Sequence, residues 1–180
     1  MTAQAPVRPI LLADDNTEDL FFLRRKLAKI GVTNPIVSVE DGFEAIRVLK
    51  ARNTIDGENL VPSILFLDIK MPGVTGFSVL SWVRSEDALN RVKVVMVSDS
   101  DEPSDIELAT ELGANAYLIK YPSSDSIAHV LAMLDPSIVM NGPKLAAPES
   151  STQSPFGRGY AIPLGVGRPD PVAGLKVVSR

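Results

Sequence analysis

Residues 64–76 read Ile-Leu-Phe-Leu-Asp-Ile-Lys-Met-Pro-Gly-Val-Thr-Gly. Four apolar residues, Ile64–Leu67, run into a single carboxylate, Asp68, and then into a loop rich in turn residues. The run is short, bounded by turn signals and apolar at every position, so it reads as a strand covered on both faces. A strand with one wet face would alternate polar and apolar residues. Val94-Val95-Met96-Val97 repeats the pattern. Pro9–Ala13, Ile36–Val39, Ile64–Leu67, Val92–Val97 and Ala116–Ile119 make five expected strands.

Segments of helical period lie between them. Glu18–Ile30 places Leu20, Leu23, Leu27 and Ile30 on one side and Arg24, Arg25, Lys26 and Lys29 largely on the other, with Gly31 as a stop. Phe43, Ile46 and Leu49 mark a second helix, and Phe77, Leu80 and Val83 a third. Ile106, Ala109 and Leu112, before Gly113, mark a fourth; Ile127, Val130, Leu131 and Leu134 mark a fifth. Five strand-helix units predict a parallel sheet with helices on both faces. Right-handed crossovers make it doubly wound, and ligands then bind at the carboxyl ends of the strands.

The bulk composition narrows the chemistry. The chain has 180 residues, 45% of them hydrophobic, enough for one domain and its core. It has no cysteine, which excludes disulfides, thiolate metal sites and cysteine nucleophiles. Its single histidine, His129, argues against histidine metal sites and Ser-His-Asp triads. No apolar run approaches the roughly 18 residues of a membrane span, and Ile10–Ala13 meets two aspartates too soon for a signal peptide. A cytoplasmic protein without a membrane contact is expected.

Charge and composition both change near residue 136. Residues 1–135 carry 13 Lys and Arg against 20 Asp and Glu, so a nucleic acid is not the expected partner of this part. The last 45 residues hold 7 of the 14 prolines and 6 of the 12 glycines, without periodicity. The organisation expected is one domain over 8–135 and a flexible Pro/Gly-rich tail over 136–180. Residues 52–62 form a long polar connection before the third strand.

Polar residues follow four of the strands: Asp14 and Asp15 the first, Asp68 the third, Ser98 the fourth and Lys120 the fifth. Each has an ordinary reading alone, as a helix cap, a turn or a solvated charge. Their coincidence on one sheet edge does not. Three converging carboxylates need proton uptake or a hard cation, and magnesium suits an all-oxygen site. A hydroxyl and an ammonium beside them can hold phosphoryl oxygens, and a carboxylate can itself be the nucleophile.

Over roughly residues 8–135 the chain resembles the receiver domain family of response regulators. ILLADDN resembles the family's first strand and acidic pair, and LFLDIKMPGVTG its acceptor strand and following loop. VVMVSDS resembles the strand ending in Ser or Thr, and LGANAYLIK the segment ending in lysine. The resemblance implies a flavodoxin-like (βα)5 fold with strand order 2-1-3-4-5. It implies Asp68 as phosphoacceptor and magnesium held by Asp14, Asp15, Asp68 and the backbone carbonyl of Lys70. Ser98 and Lys120 would hold the phosphoryl group. Tyr117 resembles the aromatic that swings inward when Ser98 moves. The switched surface would be the fourth helix, fifth strand and fifth helix.

The tail is too short for a DNA-binding or enzymatic effector. A single-domain regulator is therefore expected, not an enzyme, taking phosphate from a histidine kinase or phosphotransfer protein and acting through an unknown output protein. A homodimer through the fourth-helix surface stays open. The main rival is a receiver-like interaction module independent of phosphorylation. An aspartate-nucleophile phosphatase is disfavoured, because such enzymes place a second aspartate where Lys70 stands.

Two positions depart from the family pattern. Tyr121 stands where a proline usually follows the lysine, a loss also met in small regulators resembling those paired with bacterial phytochromes. Asp99 follows Ser98 where a small residue is usual. A carboxylate there obstructs or repels an incoming phosphodonor or water. Asp99→Ala is therefore expected to raise the rates of phosphorylation and dephosphorylation at Asp68. Unchanged rates in both directions would overturn that expectation.

Overall fold

In the computed structural model every expected strand and helix is present. The structure describes residues 7–52, 61–138, 140 and 161–163. The elements run β1 (Ile10–Ala13), α1 (Thr17–Lys29), β2 (Ile36–Val39), α2 (Gly42–Arg52), β3 (Ile64–Asp68) and α3 (Gly76–Ser85). Then follow β4 (Lys93–Ser98), α4 (Pro103–Glu111), β5 (Ala116–Ile119), α5 (Ser124–Leu134) and β6 (Ala161–Pro163). Most of the long connection before β3 and most of the expected tail lie outside the described residues.

The first five strands are parallel and stand in the expected order 2-1-3-4-5. Alternate strand residues enter opposite cores, as the uninterrupted apolar runs require. Leu11, Leu65, Leu67, Met96 and Tyr117 share one core with Leu49, Val79, Leu80 and Ala109 of α2, α3 and α4. Ile10, Leu12, Phe66, Val95 and Leu118 share the other with Leu23, Leu27, Ile127 and Leu131 of α1 and α5. Burying one such side chain stabilises the fold by about 1.5–3 kcal/mol.

The sheet has one strand more than the five expected. Ala161–Pro163 pairs antiparallel with β5, matching Tyr117 to Ile162 and Ala116 to Pro163. A proline ends this strand at a sheet edge, where a missing N–H breaks no interior ladder. Ile138, also beyond the expected domain end, is buried in the core of α1 and α5. The sequence carries no periodic signal for either placement.

The helix starts are set by side-chain caps. Asn16 accepts from the Glu18 N–H at α1, Thr75 from Ser78 at α3 and Ser123 from Ser126 at α5. Gly31 and Gly113 follow α1 and α4 at φ 80° and 85°, as the stops they were expected to be.

Gly76 sets how closely α3 approaches the end of β3. Its N–H donates to the Ile69 carbonyl at 3.0 Å. A Cβ there would lie 2.0 Å from the Asp68 carbonyl oxygen and 3.0 Å from the Ile69 Cα. Both are backbone atoms and cannot turn aside as a flexible side chain would. Alanine gains about 1 kcal/mol of helix propensity over glycine, but forcing this overlap costs about 1–3 kcal/mol or more. Because the overlap is with fixed backbone, its cost lies at the upper end, and Gly76→Ala is expected to destabilise the fold by about 1–2 kcal/mol in urea unfolding. A variant as stable as wild type would show that the contact is not a constraint.

Candidate functional site

Strand register builds the site. Ala13 lies opposite Leu67, Asp68 opposite Val97, and Ser98 opposite Ile119. The residues just past those pairs, Asp14, Asp68, Ser98 and Lys120, therefore share one edge. This is the carboxyl edge where a doubly wound sheet binds its ligands. Asp14, Asp68 and Ser98 are buried although polar.

One oxygen each of Asp14, Asp15 and Asp68 lies within 4.8 Å of the others, close enough to ligate one ion. Asp15 is the exposed member. Asp14 is fixed by accepting from the Asn16 N–H at 3.0 Å. Asp68 Oδ2 is buried and has no hydrogen-bond partner among the described residues. A buried carboxylate oxygen left open in a cluster of acids fits a hard divalent cation such as magnesium. Lys70, two residues past Asp68, has an exposed side chain.

Lys120 neutralises much of this charge. Its Nζ lies 3.0 Å from Asp14 Oδ2, 3.0 Å from Asp68 Oδ1 and 2.8 Å from Asp19 Oδ2. The contact to Asp19 is also a hydrogen bond by its geometry, and those to Asp14 and Asp68 are ion pairs. Burial alone would lower the Lys120 pKa, but Asp19, Asp14 and Asp68 outweigh it and hold it well above the ordinary lysine value. Burial pushes the Asp14 and Asp68 carboxyls up, against the pull of Lys120.

Asp19 was not among the residues singled out from sequence. In the first turn of α1 it reads as an ordinary acid at a helix N-terminus. No local spacing marks it, because the partner that gives it a role, Lys120, lies 101 residues away in the chain.

Ser98 Oγ accepts from the Ser100 N–H at 3.1 Å, and the Ser98 carbonyl accepts from the Lys120 N–H at 2.8 Å. Tyr117 is fully buried, and its hydroxyl donates to the Ser100 carbonyl at 2.9 Å. Ser98, the loop after β4 and Tyr117 are thus one hydrogen-bonded unit.

The departures shape the rim. No described peptide bond is cis, and Tyr121 bends the chain by adopting φ 60° instead. Its exposed ring packs edge-on against Phe22 of α1, with centroids 5.3 Å apart. The Asp19 carboxylate raises the Tyr121 pKa. Asp99 and His129 are exposed, and so is Phe21, the outward member of the Phe21-Phe22 pair.

The raised carboxyl pKa values have a sign. A carboxyl that binds its proton more tightly when folded costs stability once ionised. That cost is absent below the ordinary aspartate value near 3.8, grows as pH rises through the raised value, and is full above it. Asp68→Asn is thus expected to melt a few degrees above wild type at neutral pH in chelator, with the gap closing toward pH 3.8. An equal or lower melting temperature at neutral pH would contradict it.

Residues 10–132 match the family profile of the response regulator receiver domain. The bacteriophytochrome response regulator AtBRR is 34% identical, with TM-score 0.63, over 72% of this chain and 93% of that one. The phosphorylated cyanobacterial phytochrome response regulator RcpA is 26% identical, with TM-score 0.61, over 76% of this chain and 100% of that one. The probable methanogenesis regulatory protein FilR2 of Methanothrix harundinacea is 31% identical over 111 residues, 62% of this chain and 70% of its own. Some curated relatives are longer: the chain spans 48% of the stress response regulator protein 1 of Debaryomyces hansenii. With the match running from the start of β1 into α5, the chain belongs to the response regulator receiver domain family.

Proposed function

We propose that this chain is a response regulator receiver that takes a phosphoryl group onto Asp68. The observation that carries this reading is the buried, unpartnered Asp68 Oδ2 beside an ammonium and a buried hydroxyl. An Asp68 oxygen attacks the phosphorus of a phosphohistidine on a histidine kinase or phosphotransfer protein. The P–O bond forms as the P–N bond breaks, and its electron pair leaves on the donor imidazole. No general base is needed, because the nucleophile is already a carboxylate.

Asp14, Asp15, Asp68 and the Lys70 carbonyl would hold Mg2+, which supplies charge neutralisation at the transferring phosphoryl oxygens. Lys120 pairs with another of those oxygens, and Ser98 Oγ donates to a third. Moving Ser98 onto the phosphoryl group draws on the loop it shares with Tyr117 and so changes the α4-β5-α5 face. The unknown output protein docks there, beside β6. Charge fits a protein partner better than a nucleic acid.

The reading is of a cytoplasmic signalling protein and not a turnover enzyme. Among the described residues no helix is long and apolar enough to cross a membrane. Lys70, not a second aspartate, stands two residues past the acceptor, where a phosphatase of this chemistry would carry its acid and base.

The test is intact mass after incubation of the full chain with acetyl phosphate and Mg2+. Wild type is expected to gain about 80 Da, one phosphoryl group, in acid-labile form, and Asp68→Asn to gain nothing. No gain in wild type, under conditions that label other receivers, would favour the phosphorylation-independent interaction module.

A further inference from the structure

Lys120 has three carboxylate partners, and the proposed function changes two of them. Asp68 becomes an acyl phosphate, and Asp14 turns toward a cation. Asp19 does neither. It also makes the shortest of the three contacts, 2.8 Å, with side chains only 8% and 10% exposed on the two sides. Its backbone belongs to the first turn of a capped helix, so it does not depend on the mobile chemistry of the loops.

We propose that Asp19 is the positioning residue of this site, a permanent anchor that holds the Lys120 ammonium while Asp14 and Asp68 exchange it for a cation and a phosphoryl group. The inference rests on the function proposed above. Without Asp19, the ammonium has two acceptors left for three donors. It settles more tightly on Asp14 and Asp68, the groups a cation must share. The local negative charge also falls by one. Both effects weaken cation binding, so their signs do not compete.

The rival explanation is that Asp19 only adds a favourable negative charge to the start of α1. Glu18 separates the two. It lies in the same helical turn and carries the same charge, but its side chain is exposed. Surface charge of this kind is screened by solvent and salt.

The experiment titrates Mg2+ into the full-length protein by calorimetry at neutral pH. Asp19→Asn, nearly isosteric, is expected to raise the Mg2+ dissociation constant by about threefold to tenfold. Glu18→Gln is expected to leave it within about 1.5-fold. A second readout is the 15Nζ resonance of Lys120, recorded with and without Mg2+. It should stay protected from water exchange in wild type in both states and lose protection in Asp19→Asn.

An Asp19→Asn protein that binds Mg2+ like wild type, or a Glu18→Gln protein weakened to the same extent, overturns the anchor. Unchanged ammonium protection in Asp19→Asn overturns it as well. A wild-type protein that binds no Mg2+ counts instead against the proposed function, while the ammonium resonance without Mg2+ still decides whether Asp19 holds Lys120.

Discussion

The site depends on one ammonium shared among three carboxylates, two of them buried. Asp14 and Asp68 end neighbouring strands, and the register leaves them no room to separate. Ionised carboxylates this close, removed from water, repel each other and lose solvation. Lys120 offsets both costs by pairing with each acid and with Asp19. The offset is incomplete, because burial still lifts both strand-end carboxyls above their ordinary range. A site left short of positive charge favours a divalent cation and an electrophilic phosphorus.

The sheet makes that arrangement precise. Each strand is buried on both faces, so a one-residue slip would exchange its two sets of core side chains and move every strand-end group. The hydrophobic effect therefore holds the carboxylates in place indirectly. Gly76 contributes at closer range, bringing α3 so near that only a hydrogen fits beside the Asp68 carbonyl. Packing, not the polar contacts themselves, decides where the charges sit.

Much of this was legible in the sequence because strand ends are. Runs such as Ile64–Leu67 and Val94–Val97 announce strands buried on both faces, and parallel register then carries Asp14, Asp68, Ser98 and Lys120 to one edge. Asp19 was not legible, because an acid in a first helical turn has a sufficient local explanation. Its role depends on a lysine 101 residues away in the chain. The strand at 161–163 was hidden for a different reason. Three residues ending in proline carry no period, and what orders them is the open edge of β5.

Tyr121 joins these themes. A residue with a side chain at φ 60° costs of order 1–3 kcal/mol, so something must hold it there. An edge-to-face ring pair contributes about 0.5–1.5 kcal/mol beyond area burial, and Phe22 supplies one at 5.3 Å. Phe22 stands three residues after Asp19 on the same helix, while Tyr121 directly follows Lys120. The ring pair and the ion pair are thus adjacent links between α1 and the loop after β5. One is apolar and open at its rim, the other charged and buried. Together they fix the backbone from which Lys120 reaches the acceptor. A substitution at Phe22 or Tyr121 therefore acts on the site through the position of Lys120, although neither residue is one of its carboxylates.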